Sequence, residues 1–159
     1  VIFLSIRWKA LLLNMAVPLA LGSLTGYFTM DGMKTFSALE QPPLSPPAWV
    51  FPVAWTLLYL MMGAAAYLIF ASDTPREERK GALCLYAWQL LVNLSWPVLF
   101  FCFGWYGAAF CWLVLLWVLV FRTTITFYRF DHKTLFLLLP YLFWVSFAGY
   151  LNLGIALLN

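Results

Sequence analysis

From Gly81 to Phe121 the chain runs for 41 residues without a charged side chain. As one helix, at about 1.5 Å per residue, the run would reach roughly 60 Å, about twice the hydrocarbon thickness of a bilayer. It must fold back on itself. Gly104-Trp105-Tyr106-Gly107 supplies the turn, with glycines for the reversal and two aromatic rings suited to headgroup depth. The run therefore predicts two membrane-spanning helices, at about 80–102 and 105–129.

The rest of the chain points the same way. It has 159 residues, 65% hydrophobic and 9% charged, with a mean hydropathy of +0.89, whereas soluble domains carry about 25% charged residues. The apolar runs are continuous rather than alternating, which favours helices over an outer-membrane barrel. Three further spans fit at about 8–28, 46–71 and 134–158. The expected fold is an all-α integral membrane protein, one domain over 1–159 built as a bundle of five transmembrane helices. The first residue, Val1, is not Met, which leads us to expect a truncated N-terminus; no cleavage pattern of small residues follows Arg7 and Lys9.

Between the spans, Asp31 to Ser45 reads as a loop of about 15 residues, a length typical of lids and binding elements. Pro46 and Pro47 are placed in the first turn of the second span, where a missing N–H costs nothing. Before the third span, Thr74 is expected to cap, with Pro75 in the first turn and Glu77 and Glu78 complementing the helix dipole. In the first span, Gly22-Ser23-Leu24-Thr25-Gly26 offers small residues four apart, serving an internal helix contact, a kink beside Pro18 or a dimer seam.

Five spans put the termini on opposite sides. Arg7, Lys9, Arg76, Arg79, Lys80, Arg122, Arg129 and Lys133 then fall on one side and only Lys34 on the other, eight against one of the nine basic residues. The positive-inside rule places the N-terminus in the cytoplasm and the C-terminus outside, in a multi-pass protein of a bacterial cell membrane. No basic stripe forms, so nucleic acid is not an expected partner; the lipid bilayer is. Cys84, Cys102 and Cys111 lie in apolar runs without metal-type spacing, and the single His132 sits in a charged loop, so no metal site is expected. No Asp, Glu, Lys or His lies mid-span, which argues against pumps, proton-coupled carriers and voltage sensors.

What the spans do carry is tryptophan and amide. Pro52, Trp55, Thr56 and Tyr59 recur at three- and four-residue steps, so one face bears two large rings with polar edges. Gln89, Asn93, Trp96 and Phe100 share a face of the third span, and Pro140, Trp144, Ala148 and Asn152 one of the fifth. The first of these faces can pack on lipid or neighbouring helices or line a pocket; amides are costly in hydrocarbon unless paired, so the two amide-bearing faces turn inward. They serve either interhelical hydrogen bonds or a pocket for a flat apolar ligand with polar edges. Trp8, Trp49 and Trp105 lie near span ends and suit the interfacial belt.

Three stretches together resemble a known family: Pro46-Pro47 followed by Trp49-Val50-Phe51-Pro52-Val53-Ala54-Trp55-Thr56-Leu57-Leu58-Tyr59; Gln89-Leu90-Leu91-Val92-Asn93-Leu94-Ser95-Trp96-Pro97-Val98-Leu99-Phe100-Phe101; and Pro140-Tyr141-Leu142-Phe143-Trp144-Val145-Ser146-Phe147-Ala148-Gly149-Tyr150-Leu151-Asn152. The chain is similar to the TspO/MBR family, the tryptophan-rich sensory proteins and mitochondrial translocator proteins (peripheral-type benzodiazepine receptors). The resemblance implies a five-helix bundle, often a homodimer, whose pocket opens toward the first loop. It also implies binding of porphyrins such as protoporphyrin IX, with no cofactor required. Carried over by motif, the pocket comprises Pro46, Pro47, Trp55, Asn93, Trp96, Phe100, Trp144, Phe147 and Ala148; the residues themselves add Tyr59 and Gln89. Trp55 and Trp144 match the pair proposed in some bacterial relatives to support light- and oxygen-dependent porphyrin degradation. A small carrier or structural protein without a tetrapyrrole ligand is the remaining alternative.

The chain departs from the family pattern in the first loop. Thr35-Phe36 and Gln41-Pro42-Pro43-Leu44 stand where relatives commonly carry a Trp-Tyr pair and a Lys-Pro-x-Trp segment. No Lys or Arg follows Tyr150, so the motif associated with cholesterol is incomplete and specific sterol binding is not expected.

Overall fold

A computed structural model describes residues 6–159. Six α-helices follow one another: α1 (Trp8–Phe28), α2 (Met30–Ser37), α3 (Val50–Phe70), α4 (Arg76–Pro97), α5 (Tyr106–Phe130) and α6 (Thr134–Leu158). A π-helical turn, Val98–Cys102, prolongs α4. All but α2 are long and apolar enough to cross a membrane. The protein is an all-α, multi-pass bundle.

Each break in the helices has a local cause. Pro97 has no N–H for the Asn93 carbonyl, and the chain relaxes into wider turns, with Phe103 N bonded to Val98 O at 3.1 Å. Gly104 then reverses the chain at φ +66°, a conformation open to glycine, and α5 begins two residues later. The turn expected between the third and fourth spans is therefore present, and the third span ends in π rather than α geometry.

Two starts differ from expectation. The second span begins at Val50, not at the prolines: Pro47 supplies the carbonyl for Val50 N at 3.0 Å, and Pro46 and Pro47 lead into the helix from outside. Extended backbone is favoured before a proline, which keeps Ser45 and Pro46 out of the helix. At α4, Pro75 occupies the N-cap position and Thr74 does not cap; its hydroxyl pairs with that of Ser72 at 2.7 Å. The loop expected over 31–45 contains a helix, α2. Asp31 in its first turn and Lys34 in its last both complement the helix dipole.

The core lies among α3–α6, with Met62, Ile69, Leu113, Leu116, Phe127, Leu138, Tyr141 and Ile155 almost fully buried. The outer helix α1 buries only Pro18. It lies against α3 through Gly63, where an added Cβ would overlap the Asn14 carbonyl and the Met15 backbone. Pro18, four residues on, offers no N–H to that carbonyl. Gly63→Ala is therefore expected to lower the melting temperature of the purified protein, through an overpacking cost of about 1–3 kcal/mol. Gly81→Ala, where nothing lies within 4 Å of the added carbon, should instead gain up to about 1 kcal/mol of helix preference. Identical melting of the two variants would contradict a backbone-tight α1–α3 contact.

Candidate functional site

The aromatic faces of α3, α4 and α6 converge on a cavity of about 600 Å³ in the half of the bundle that holds α2. Trp55 is its centre. Its ring stacks on Tyr59 at 5.9 Å, meets Trp96 at 6.5 Å, and stands perpendicular to Trp144 at 6.2 Å. Trp96 continues to Phe100 at 5.2 Å, and the π-turn carries Phe100 and Phe101 onto the same wall. From α1, Gly22 and Gly26 complete the enclosure. An added Cβ at Gly22 would run into the Tyr59 ring, so this pair of small residues serves an internal contact and the cavity.

Beneath the rings runs a chain of buried hydrogen bonds. Tyr59 OH donates to Asn93 Oδ1 at 2.8 Å, Asn93 Nδ2 donates to Tyr141 OH at 2.6 Å, and Tyr141 OH donates to Gln89 Oε1 at 2.7 Å. A second set braces the other side: Trp96 Nε1 donates to Asn152 Oδ1 at 3.0 Å, and Asn152 Nδ2 to the Tyr106 carbonyl at 2.8 Å. In hydrocarbon such bonds contribute about 0.6 kcal/mol each on average, but an unpaired amide there costs more. They fix the rotamers of the cavity floor. The Trp144 indole Nε1 is buried without a partner. A ligand acceptor reaching that N–H would remove the cost of an unsatisfied donor.

Of the eleven residues expected to bind the ligand, Trp55, Tyr59, Asn93, Trp96, Phe100, Trp144 and Ala148 line the cavity. Four do not. Gln89 lies one turn deeper than Asn93, 1% exposed, with its amide engaged by Tyr141 and Met62. Phe147 lies outside Trp144, between that ring and Tyr150, because on α6 it sits across Trp144 from Ala148. Pro46 and Pro47 belong to the approach to α3, whose contribution to the wall begins at Ala48.

The helix α2, which sequence reasoning missed, roofs the cavity. Met30, Met33 and Phe36 face it at three-residue steps, with Lys34 and Ser37 beside them. Phe36 wedges among Phe51, Phe100 and Phe101 at 5.7–6.3 Å. Gly32 lets α2 rest on the Phe101 backbone, which a Cβ would strike. The following loop is tied to α6: Tyr150 OH donates to the Pro43 carbonyl at 2.7 Å, Pro42 packs on Gly154, and Asn159 pairs with the Glu40 backbone. The spacing Met30-Met33-Phe36 was the available signal for α2.

A family model described as TspO/MBR matches residues 14–158 of the chain. The chain belongs to the TspO/MBR family. The Tryptophan-rich protein TspO of Chlorobaculum tepidum is 39% identical over 124 residues, covering 78% of each chain. The TspO protein of Archaeoglobus fulgidus is 34% identical over 150 residues, covering 94% of this chain and 96% of its own. The Translocator protein of Ovis aries is 36% identical over 129 residues, covering 80% and 76%. Similarity to TspO/MBR members thus extends across the segments that build the cavity, α2 included.

Proposed function

We propose that this membrane protein binds a flat, hydrophobic, carboxylate-bearing ligand of the porphyrin class in the cavity beneath α2, for sensing, scavenging or transport. The observation that carries the reading is the wall of Trp55, Trp96 and Trp144 around about 600 Å³ of space, a volume within the roughly 300–1,000 Å³ of small-molecule sites. Indole faces suit a planar π-system. Lys34, exposed on the roof with no carboxylate partner among the described residues, supplies a cation for a peripheral carboxylate, and the orphan Trp144 N–H a donor. Family membership supports the same ligand class. The sorting of eight basic residues to one side against Lys34 on the other supports a cytoplasmic N-terminus. A homodimer is part of the proposal through family resemblance. Quenching of tryptophan fluorescence by protoporphyrin IX, in detergent and in the dark, tests the site: it should saturate in the wild type and weaken in Trp144→Ala. Equal quenching of both proteins would rule the site out.

The contact of Trp55 with Trp144 favours a second reading, light-dependent degradation of the bound porphyrin. An indole can donate an electron to an excited porphyrin, and the two rings stand 6.2 Å apart on the wall. Under illumination with oxygen, porphyrin absorbance should decay faster with the wild type than with Trp55→Phe/Trp144→Phe. Equal bleaching would end that reading.

A further inference from the structure

At the end of the bundle away from the cavity, the junction of α3 and α4 leaves a second concavity of about 560 Å³. It is lined by Phe70 from α3 and by Arg76, Arg79, Lys80, Leu83 and Cys84 from α4. Arg79 is its fixed point. Nη1 donates to the Phe70 carbonyl at 3.0 Å, so the guanidinium lies across the end of α3. Its Nε is buried and has no partner, although a guanidinium offers five donors.

None of the three cations in this groove forms an ion pair with a carboxylate. Asp73, Glu77 and Glu78 flank the three cations in sequence, yet none lies within 4.0 Å of them; among the described residues the one ion pair is Lys133 with Asp131, at 3.7 Å. The three cations sit where one span ends and the next begins, which by span length puts them near the membrane surface. One turn deeper along the same face, Leu83 follows Arg79 and Cys84 follows Lys80. Phe70, 41% exposed, lies beside them in the lining. A cationic rim above an apolar floor that faces the bilayer has the polarity of a phospholipid, phosphate above and acyl chain below.

We propose that this groove holds an anionic membrane phospholipid, with its phosphate on Arg76, Arg79 and Lys80 and its first acyl carbons along Leu83, Cys84 and Phe70. A soluble anion leaves the apolar floor unused. A zwitterionic lipid brings a cation of its own toward three that have no carboxylate partner. The site is independent of the porphyrin proposal.

The test is native mass spectrometry of the purified protein titrated with phosphatidylglycerol, phosphatidylcholine or inorganic phosphate. Arg76→Gln/Lys80→Gln is compared with Arg122→Gln/Arg129→Gln, which removes the same charge from α5. The first pair leaves the Arg79–Phe70 bond in place, so the α3–α4 junction keeps its tie. One phosphatidylglycerol should be retained saturably, and the groove variant should hold it about 25-fold more weakly, each cation near the membrane surface contributing about fivefold. The α5 variant should retain it as the wild type does. Equal weakening in both variants, equal retention of phosphatidylcholine, or displacement of the lipid by inorganic phosphate at a similar concentration would each overturn the proposal.

Discussion

Ala148→Phe should weaken protoporphyrin IX binding roughly 10- to 100-fold while the protein melts within a few degrees of wild type. Ala148 is 6% exposed and lines the cavity one turn from Trp144. A larger side chain there grows into space that the fold leaves open, so the helices need not part. A planar ligand must then displace the ring or distort its surroundings, and overpacking of this kind costs about 1–3 kcal/mol. The comparison is Phe143→Ala on the same helix, where a ring 68% exposed faces away from the core. That substitution should leave the isotherm unchanged. If Ala148→Phe binds as the wild type does, the ligand does not occupy this cavity.

Asn93→Leu should be the most destabilising single change in the site, costing about 1–3 kcal/mol. It removes the acceptor of Tyr59 OH and a donor to Tyr141 OH at once, and it leaves the Tyr59 hydroxyl buried without its partner. Because the bonds form a chain, the losses should not add. Tyr59→Phe removes one of the stranded groups, so Tyr59→Phe/Asn93→Leu should cost less than the sum of its single changes. Thermal melting of the four proteins closes the cycle. Strict additivity would contradict a coupled network beneath the cavity.

The spans were legible because bilayer thickness converts directly into a count of apolar residues. The turn at Gly104 was legible because 41 uncharged residues cannot form one span. The inward faces of α4 and α6 followed from amides that hydrocarbon does not tolerate unpaired, whereas the face of Trp55 and Tyr59 on α3 could equally have met lipid. What stayed hidden depends on tertiary contact. The helix α2 carries Asp31, Gly32 and Lys34 within eight residues, and it becomes a roof because Gly32 fits against the Phe101 backbone. Gln89 and Asn93 look alike from the sequence; both bond to Tyr141, but Gln89 turns its amide N–H to Met62 while Asn93 reaches the cavity. Phe147 and Ala148 are neighbours in the same motif, and helix rotation sends only Ala148 to the wall. Lys34, the lone cation on its side, gave no sign of its place until α2 existed. Tyr150, set aside with the incomplete sterol motif, anchors the loop through the Pro43 carbonyl.

The most direct test of the tryptophan-walled site is the dark binding isotherm of protoporphyrin IX, read from the porphyrin's own absorbance in detergent, for the wild type and for Trp55→Phe/Trp144→Phe. A saturable isotherm with one porphyrin per chain, weakened by the double substitution, is the expected result. Uptake that rises linearly with added porphyrin, equal in both proteins, would mean partitioning into detergent and would contradict the site.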